Sequence, residues 1–296
     1  VTRTAADEEF RFVDAHVHFY DMGHPRLRYD HWQPDKDHPF LGSQTRKLGK
    51  RNYLAEDFIA EASPHGMVKA IHVQAAIGSE DPVVETEWLQ EVYDRTAIPQ
   101  AIVGYIDLRD EHAESQIERH MQYPNFKGVR DFSYGDYLVN EDFRQGFRLL
   151  AKYGLTSSVS VQWQDMEKLA NLARTYPNTT IVLDHAGFPQ ERSVQYFDKW
   201  RAAMKVIAST DNIICKISGL GMGDNNWTVD SIRPFVEVCI EQFGCKKSLF
   251  ATNWPIDSLW SSYSAVLGAY RAITANFTRE EQKALFAGNA ERIYKI

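Results

Sequence analysis

Cysteine is scarce. Cys215, Cys239 and Cys245 are the only three among 296 residues, an odd number without paired spacing, which excludes a disulfide framework and a paired-cysteine metal site and points to a reducing cytoplasm. Long apolar runs are also missing, so no membrane span is expected. Val1 to Phe10 alternates polar and acidic residues with no basic segment leading into an apolar one, so no secretory leader is expected either. Positive charge is in deficit: 33 Lys+Arg against 40 Asp+Glu gives 33 − 40 = −7, which speaks against a nucleic-acid clamp. No Gly/Ser- or Pro-rich linker and no low-complexity tract divides the chain, so a single domain over residues 1–296 is expected. HExxH, Walker and GxGxxG patterns are absent.

What remains is the composition of a compact globular protein, 44% hydrophobic and 25% charged. Along its whole length, β-branched and aromatic runs alternate with helical periodicity, as in βα units around a parallel sheet. Strands are expected at Phe12–His18, Val68–Ala75, Ala101–Leu108, Phe126–Phe132, Thr156–Gln162, Thr180–His185, Ile213–Leu220 and Leu249–Asn253, each followed by a helix. Thr278–Ile296 reads as a closing helical segment. Eight units in under 300 residues favour a (β/α)8 TIM barrel over an open doubly wound sheet. Such a barrel places chemistry at the C-terminal ends of its strands, which sorts the polar residues before any motif is considered.

The first expected strand ends Asp14-Ala15-His16-Val17-His18. A period of two puts both imidazoles on one face, with Asp14 on that face further down. Such a pair suits divalent metal ligation or hydrogen bonding to a carbonyl oxygen; the plainer alternative is two packed histidines. His185 closes the sixth strand just before a glycine, and Asn253 ends the eighth before Trp-Pro, where it either reaches the histidines or initiates a turn.

These residues carry a resemblance. His16-Val17-His18, LDHAG around His185 and FATNWP around Asn253 look like the amidohydrolase superfamily. HVQA at Gln74, KGVRD at Arg130, CKISGL at Lys216 and Ser218, and GNAERIY at Arg292 resemble its lactonase-like branch of fuconolactone, rhamnonolactone and pyrone-dicarboxylate lactonases. The resemblance implies hydrolysis of a small lactone at the barrel mouth. His16, His18 and His185 would polarise the carbonyl or hold one divalent ion, zinc above others, although some relatives in the branch work without metal. One position departs: most of the superfamily has an aspartate where this chain has Asn253, and an amide is neither a usable base nor a strong ligand. Asp257, four residues on, is a substitute base if its loop folds back, and otherwise an exposed loop carboxylate.

Supporting roles follow from position. Arg130 can fork onto a substrate carboxylate. Lys216 lies within an apolar strand, where it needs a ligand or an acidic partner such as Asp14, Asp131 or Asp184. Gln74, Gln162 and Ser218 suit hydrogen bonding to substrate. The first βα connection, Phe19 to about Leu54, greatly exceeds the usual 2 to 6 residues and is full of rings, including Tyr20, Tyr29 and Trp32, which makes it a lid, a pocket wall or a contact in a homo-oligomer. Its histidines, irregularly spaced, read as surface residues. The seventh connection, with Trp227, is a second candidate wall. His112 and His120 read as solvated helix positions. The expected partner is a small anionic or polyhydroxylated substrate. The competing readings are a metal-dependent decarboxylase or hydratase of an aromatic acid, and a catalytically impaired binding protein.

Overall fold

The computed structural model describes residues 10–133 and 135–296; the leader reading of Val1 to Glu9 lies outside them. Eight parallel strands run in sequence order: β1 Phe12–Val17, β2 Met67–Val73, β3 Ala101–Tyr105, β4 Phe126–Arg130, β5 Thr156–Val159, β6 Ile181–Leu183, β7 Ile213–Ile217 and β8 Ser248–Phe250. A parallel bridge between Val17 and Trp254, with His18 N–H donating to Trp254 O at 2.8 Å, joins the first strand to the segment after the last and closes the barrel. The expected (β/α)8 architecture is therefore the observed one.

A barrel helix follows each strand: α1 Ala55–Ala62, α2 Val83–Thr96, α3 Ala113–His120, α4 Glu141–Tyr153, α5 Met166–Thr175, α6 Val194–Ala208, α7 Val229–Phe243 and α8 Tyr263–Ile273. Helix α4 shows why these segments fold so. The Asn140 side chain accepts from Phe143 N–H at its start, Glu141 and Asp142 suit the positive end of the helix dipole, and Gly154 ends it at φ 65°. Its buried stripe Phe143, Gly146, Phe147, Leu150 follows the 3,4 spacing of an amphipathic helix.

Two layers of core result. Rings and aliphatic side chains fill the space between strands and helices, while Val13, Ala15, Ile71, Val73, Val103, Val182, Ile214 and Leu249 fill the barrel. Ala287, Ala290, Ile293 and the buried Tyr294 pack onto that inner cluster and plug one end with the C-terminal segment.

Two strand ends depart from simple alternation. In β1 the register passes from Asp14↔Ala70 to Val17↔His72, three residues against two, so a bulge inserts one extra residue beside the histidines. Asp14 consequently leaves the histidine face. Its carboxylate accepts from Thr252 N–H at 2.9 Å and from Tyr263 Oη, on α8, at 3.0 Å, so the expected shared face for Asp14, His16 and His18 is corrected. Strand β6 stops at Leu183 because His185 and Ala186 take left-handed backbone angles, φ 54° and 52°. His120, expected in solvent, is buried on α3 and hydrogen-bonds the Thr86 hydroxyl at 2.8 Å.

Candidate active site

The strand ends open into a cavity of about 440 Å³, within the range of small-molecule sites. His18, Gln74, Arg130, His185 and Asn253 lie on its floor side, and Trp32 and Gln162 also line it. Residues from the first, second, fourth, fifth, sixth and eighth strand ends are thus brought together.

The imidazoles converge. The His16 ring centroid lies 4.4 Å from that of His185 and 4.9 Å from that of His18. Each uses Nδ1 against the protein. His18 Nδ1 donates to Val73 O at 2.8 Å, which leaves its Nε2 as a lone pair. His185 Nδ1 meets Ser218 Oγ at 2.9 Å, and His16 Nδ1 lies 3.5 Å from Asp184 Oδ1. Burial, with nearby positive charge, pulls His18 and His185 down to about 3 and His16 well below its ordinary range. All three rings are neutral near pH 7.

Beneath them sits a charged triad. Asp184 receives Lys216 Nζ at 3.0 Å and Arg130 Nε at 3.4 Å, and Ser158 Oγ donates to it at 2.8 Å. Burial works against the carboxylate, but Lys216 and its other partners outweigh that and hold Asp184 well below the usual range. Two cations around one carboxylate leave the floor net positive. Lys216 is wholly buried and does not line the cavity, so its expected substrate role gives way to the ion pair with Asp184.

At the eighth strand end, Asn253 adopts φ 60° and donates from Nδ2 to Asp257 Oδ2 at 2.7 Å. Asparagine tolerates this backbone region better than most residues. Asp257 is buried, not the exposed loop carboxylate that was one reading, and burial raises it to about 7 against the lowering effect of the Asn253 hydrogen bond. Gln74 is also buried, and its Nε2 has no partner among the described residues, nor has His16 Nε2. Orphaned donors and acceptors of this kind are costly unless a ligand meets them.

The fit to a divalent ion can be judged from these donors. Three imidazoles stand beside two cations, the one central carboxylate is already paired, and the eighth strand offers an amide, a weak neutral ligand, whose nitrogen is turned to Asp257. Among the described residues no group of three histidine, cysteine or carboxylate side chains is arranged to hold a metal. The residues present do not fit the zinc expectation.

Other expected site residues lie elsewhere. Ser218 stands behind His185, outside the cavity lining. Tyr20 is buried within the insert, packed on Tyr29, Trp32 and Tyr53, and Trp227 packs over Gly221; neither lines the cavity. Conversely His31 and His38, read from their spacing as surface residues, line it together with Phe40, Phe132 and Phe188. Gly219 was passed over as well. At φ 62°, a Cβ on it would sit 2.7 Å from His185 Nδ1, so the absent side chain admits the imidazole. The glycine in CKISGL was the available signal.

The family model described as Amidohydrolase matches residues 13–296. An uncharacterized protein of Sinorhizobium fredii, y4mH, is 38% identical over 97% of this chain and 99% of its own. An L-fucono-1,5-lactonase of Burkholderia ambifaria is 27% identical over 96% and 95%. Among solved structures, an amidohydrolase from Burkholderia multivorans with bound zinc superposes at TM-score 0.83 with 24% identity, covering 97% of this chain and 100% of that one. No helix of the described residues is long and apolar enough to cross a membrane.

Proposed function

The chain belongs to the amidohydrolase family, and from that premise we propose that it is a hydrolase that opens a small cyclic ester by water attack at the mouth of the barrel. The observation that carries this reading is a cavity whose floor combines neutral imidazoles, a net positive charge and orphaned polar atoms. Such a floor offers hydrogen bonds to a lactone carbonyl and stabilises the negative charge that builds on its oxygen. Relatives named for lactone hydrolysis support the same chemistry.

Arg130 and Gln74 Nε2 supply the donors for that oxygen. The His18 Nε2 lone pair receives a hydrogen bond from the attacking water, and His185, fixed by Ser218, flanks it. Asp257 is the proton acceptor. It is a buried carboxyl raised to about 7 that lies just behind the cavity lining, and general bases work best near the ambient pH. The 2.7 Å contact with cavity-lining Asn253 sets it next to the reaction. Proton return to the ring oxygen then completes cleavage, giving a hydroxy acid.

The test is a lactone panel read by acid release, with and without chelator and added zinc. Turnover that is indifferent to metal, and whose kcat/KM rises through pH 7 in the wild type but not in Asp257→Asn, is the expected result. No turnover of any cyclic ester would remove the reading.

A further inference from the structure

We propose that the wall built by the first insert takes a flat apolar arm of the substrate, such as an aryl group, so that the cyclic ester opened at the floor carries that arm in place of a set of hydroxyls. This deepens the lactonase reading and rests on it.

The insert is anchored where it leaves the barrel. Tyr20 and Tyr53 exchange backbone hydrogen bonds of 2.8 and 2.9 Å, and at the tip His38 and Gly42 pair in the same antiparallel manner. Between these two fastenings the chain lays rings against the cavity. His31 lies 5.1 Å from His38 and 5.0 Å from Phe132, and His38 lies 6.0 Å from Phe40, centroid to centroid. Both imidazoles are shifted toward the neutral form, chiefly by burial, His31 also by the Arg130 charge, and His38 to about 4. They act as flat faces near pH 7. His38 Nδ1 accepts from Phe40 N–H and Leu41 N–H at 3.1 and 3.2 Å, so its proton sits on Nε2.

Three polar groups that line the cavity beyond the insert are already paired. Ser160 Oγ accepts from Arg130 at 3.0 Å, the Ser133 hydroxyl donates to Asp131, and Asp165 holds Lys168 at 2.9 Å. Hydroxyls laid against the faces of the His31, His38 and Phe40 rings would lose their water without replacement, which is unfavourable. A flat apolar group loses nothing and stacks. Phe40 points to the same conclusion. It is 59% exposed, and of the five large hydrophobic residues left exposed among those described, it is the one that lines the cavity. A substrate arm laid beside it would cover it.

The experiment compares δ-valerolactone, its ring-phenyl derivative and a polyhydroxylated sugar δ-lactone on the wild type and on Phe40→Ala. The readout is the ratio of kcat/KM between phenyl and unsubstituted lactones, with calorimetric binding of the matching hydrolysis-resistant lactams alongside. The ratio is expected to favour the phenyl compound by about 10- to 100-fold, from the area a phenyl group buries, and to fall roughly tenfold in Phe40→Ala. Equal ratios, a ratio untouched by Phe40→Ala, or a preference for the sugar lactone would overturn the proposal. If no lactone is opened but the phenyl lactam still binds at least about tenfold tighter than δ-valerolactam in a Phe40-dependent way, the arm site stands and the hydrolytic reading fails. Equal binding of the two lactams removes the arm site by itself.

Discussion

The floor and the outer wall of the cavity are built on opposite principles. The floor hangs from strand ends, is buried, and gathers charge: Asp184, Lys216 and Arg130 interlock beneath three imidazoles. The wall comes from an irregular insert, is half-exposed, and presents rings in place of charges. The floor therefore fixes what reaction is available and is coupled to the stability of the whole barrel. The wall selects what is brought to it and can vary with little consequence for folding.

Substituting one residue in each region should separate them most sharply. Asp184→Asn leaves Lys216 buried without its counter-charge, and breaking a buried pair from one side costs about 3–5 kcal/mol. Phe40→Ala, at the exposed tip, should stay within about 0.5 kcal/mol. Urea midpoints measure both, and comparable shifts would erase the distinction between the regions. The next largest effect is a pH dependence. Asp257 is raised by burial to about 7, so its contribution to stability is complete below its unfolded value near 4 and is lost as the pH climbs to 7. That difference is worth a few kcal/mol. Asp257→Asn should flatten this part of the stability profile. Glu85, also raised to about 7 by burial against the N–H groups of Ala76 and Ala75, would retain its share in the variant and serves as an internal control. Asp184, held low, acts with the opposite sign: its stabilisation is complete above its unfolded value near 4 and is lost progressively as the pH falls below that.

A smaller effect lies between the two regions. Gly219→Ala forces a left-handed residue to carry a Cβ against His185, a backbone cost of about 1–2 kcal/mol. The displaced imidazole should lower kcat by about 10- to 100-fold. A drop in stability with unchanged kcat would show that the exact placement of His185 is not what the floor depends on.

The same division explains what could be read in advance. Alternation of strand and helix patterns is a repeated local signal, so the barrel and the mouth residues His18, Gln74, Arg130, His185 and Asn253 were visible along the chain. Asp14 was misassigned because a bulge breaks the period of two on which the assignment relied. Lys216 was recognised as needing an acidic partner, with Asp14, Asp131 and Asp184 as candidates, and the folded barrel selects Asp184, 32 residues away. His31 and His38 carry no periodicity, since the insert follows its own anchors and not a regular element. Their spacing read as a surface pattern, although folding turns both toward the cavity.

The smallest expected effect tests whether the wall is truly separable. His38 organises the tip through its Nδ1, which accepts the N–H groups of Phe40 and Leu41. A substitution such as His38→Ala deletes both hydrogen bonds, each worth about 1 kcal/mol or less at a solvent-accessible site. Those bonds hold a short hairpin, so their loss should raise amide exchange at residues 38–42 and leave the barrel strands protected, as expected for a local opening. The neutral His18 and His185 would keep their partners Val73 and Ser218, so the floor would still act on a substrate that needs no arm. Faster exchange spreading into β1 or the Asp184 cluster would mean that the insert helps hold the floor together, and selectivity could then not be altered at the wall without disturbing the catalytic residues below it.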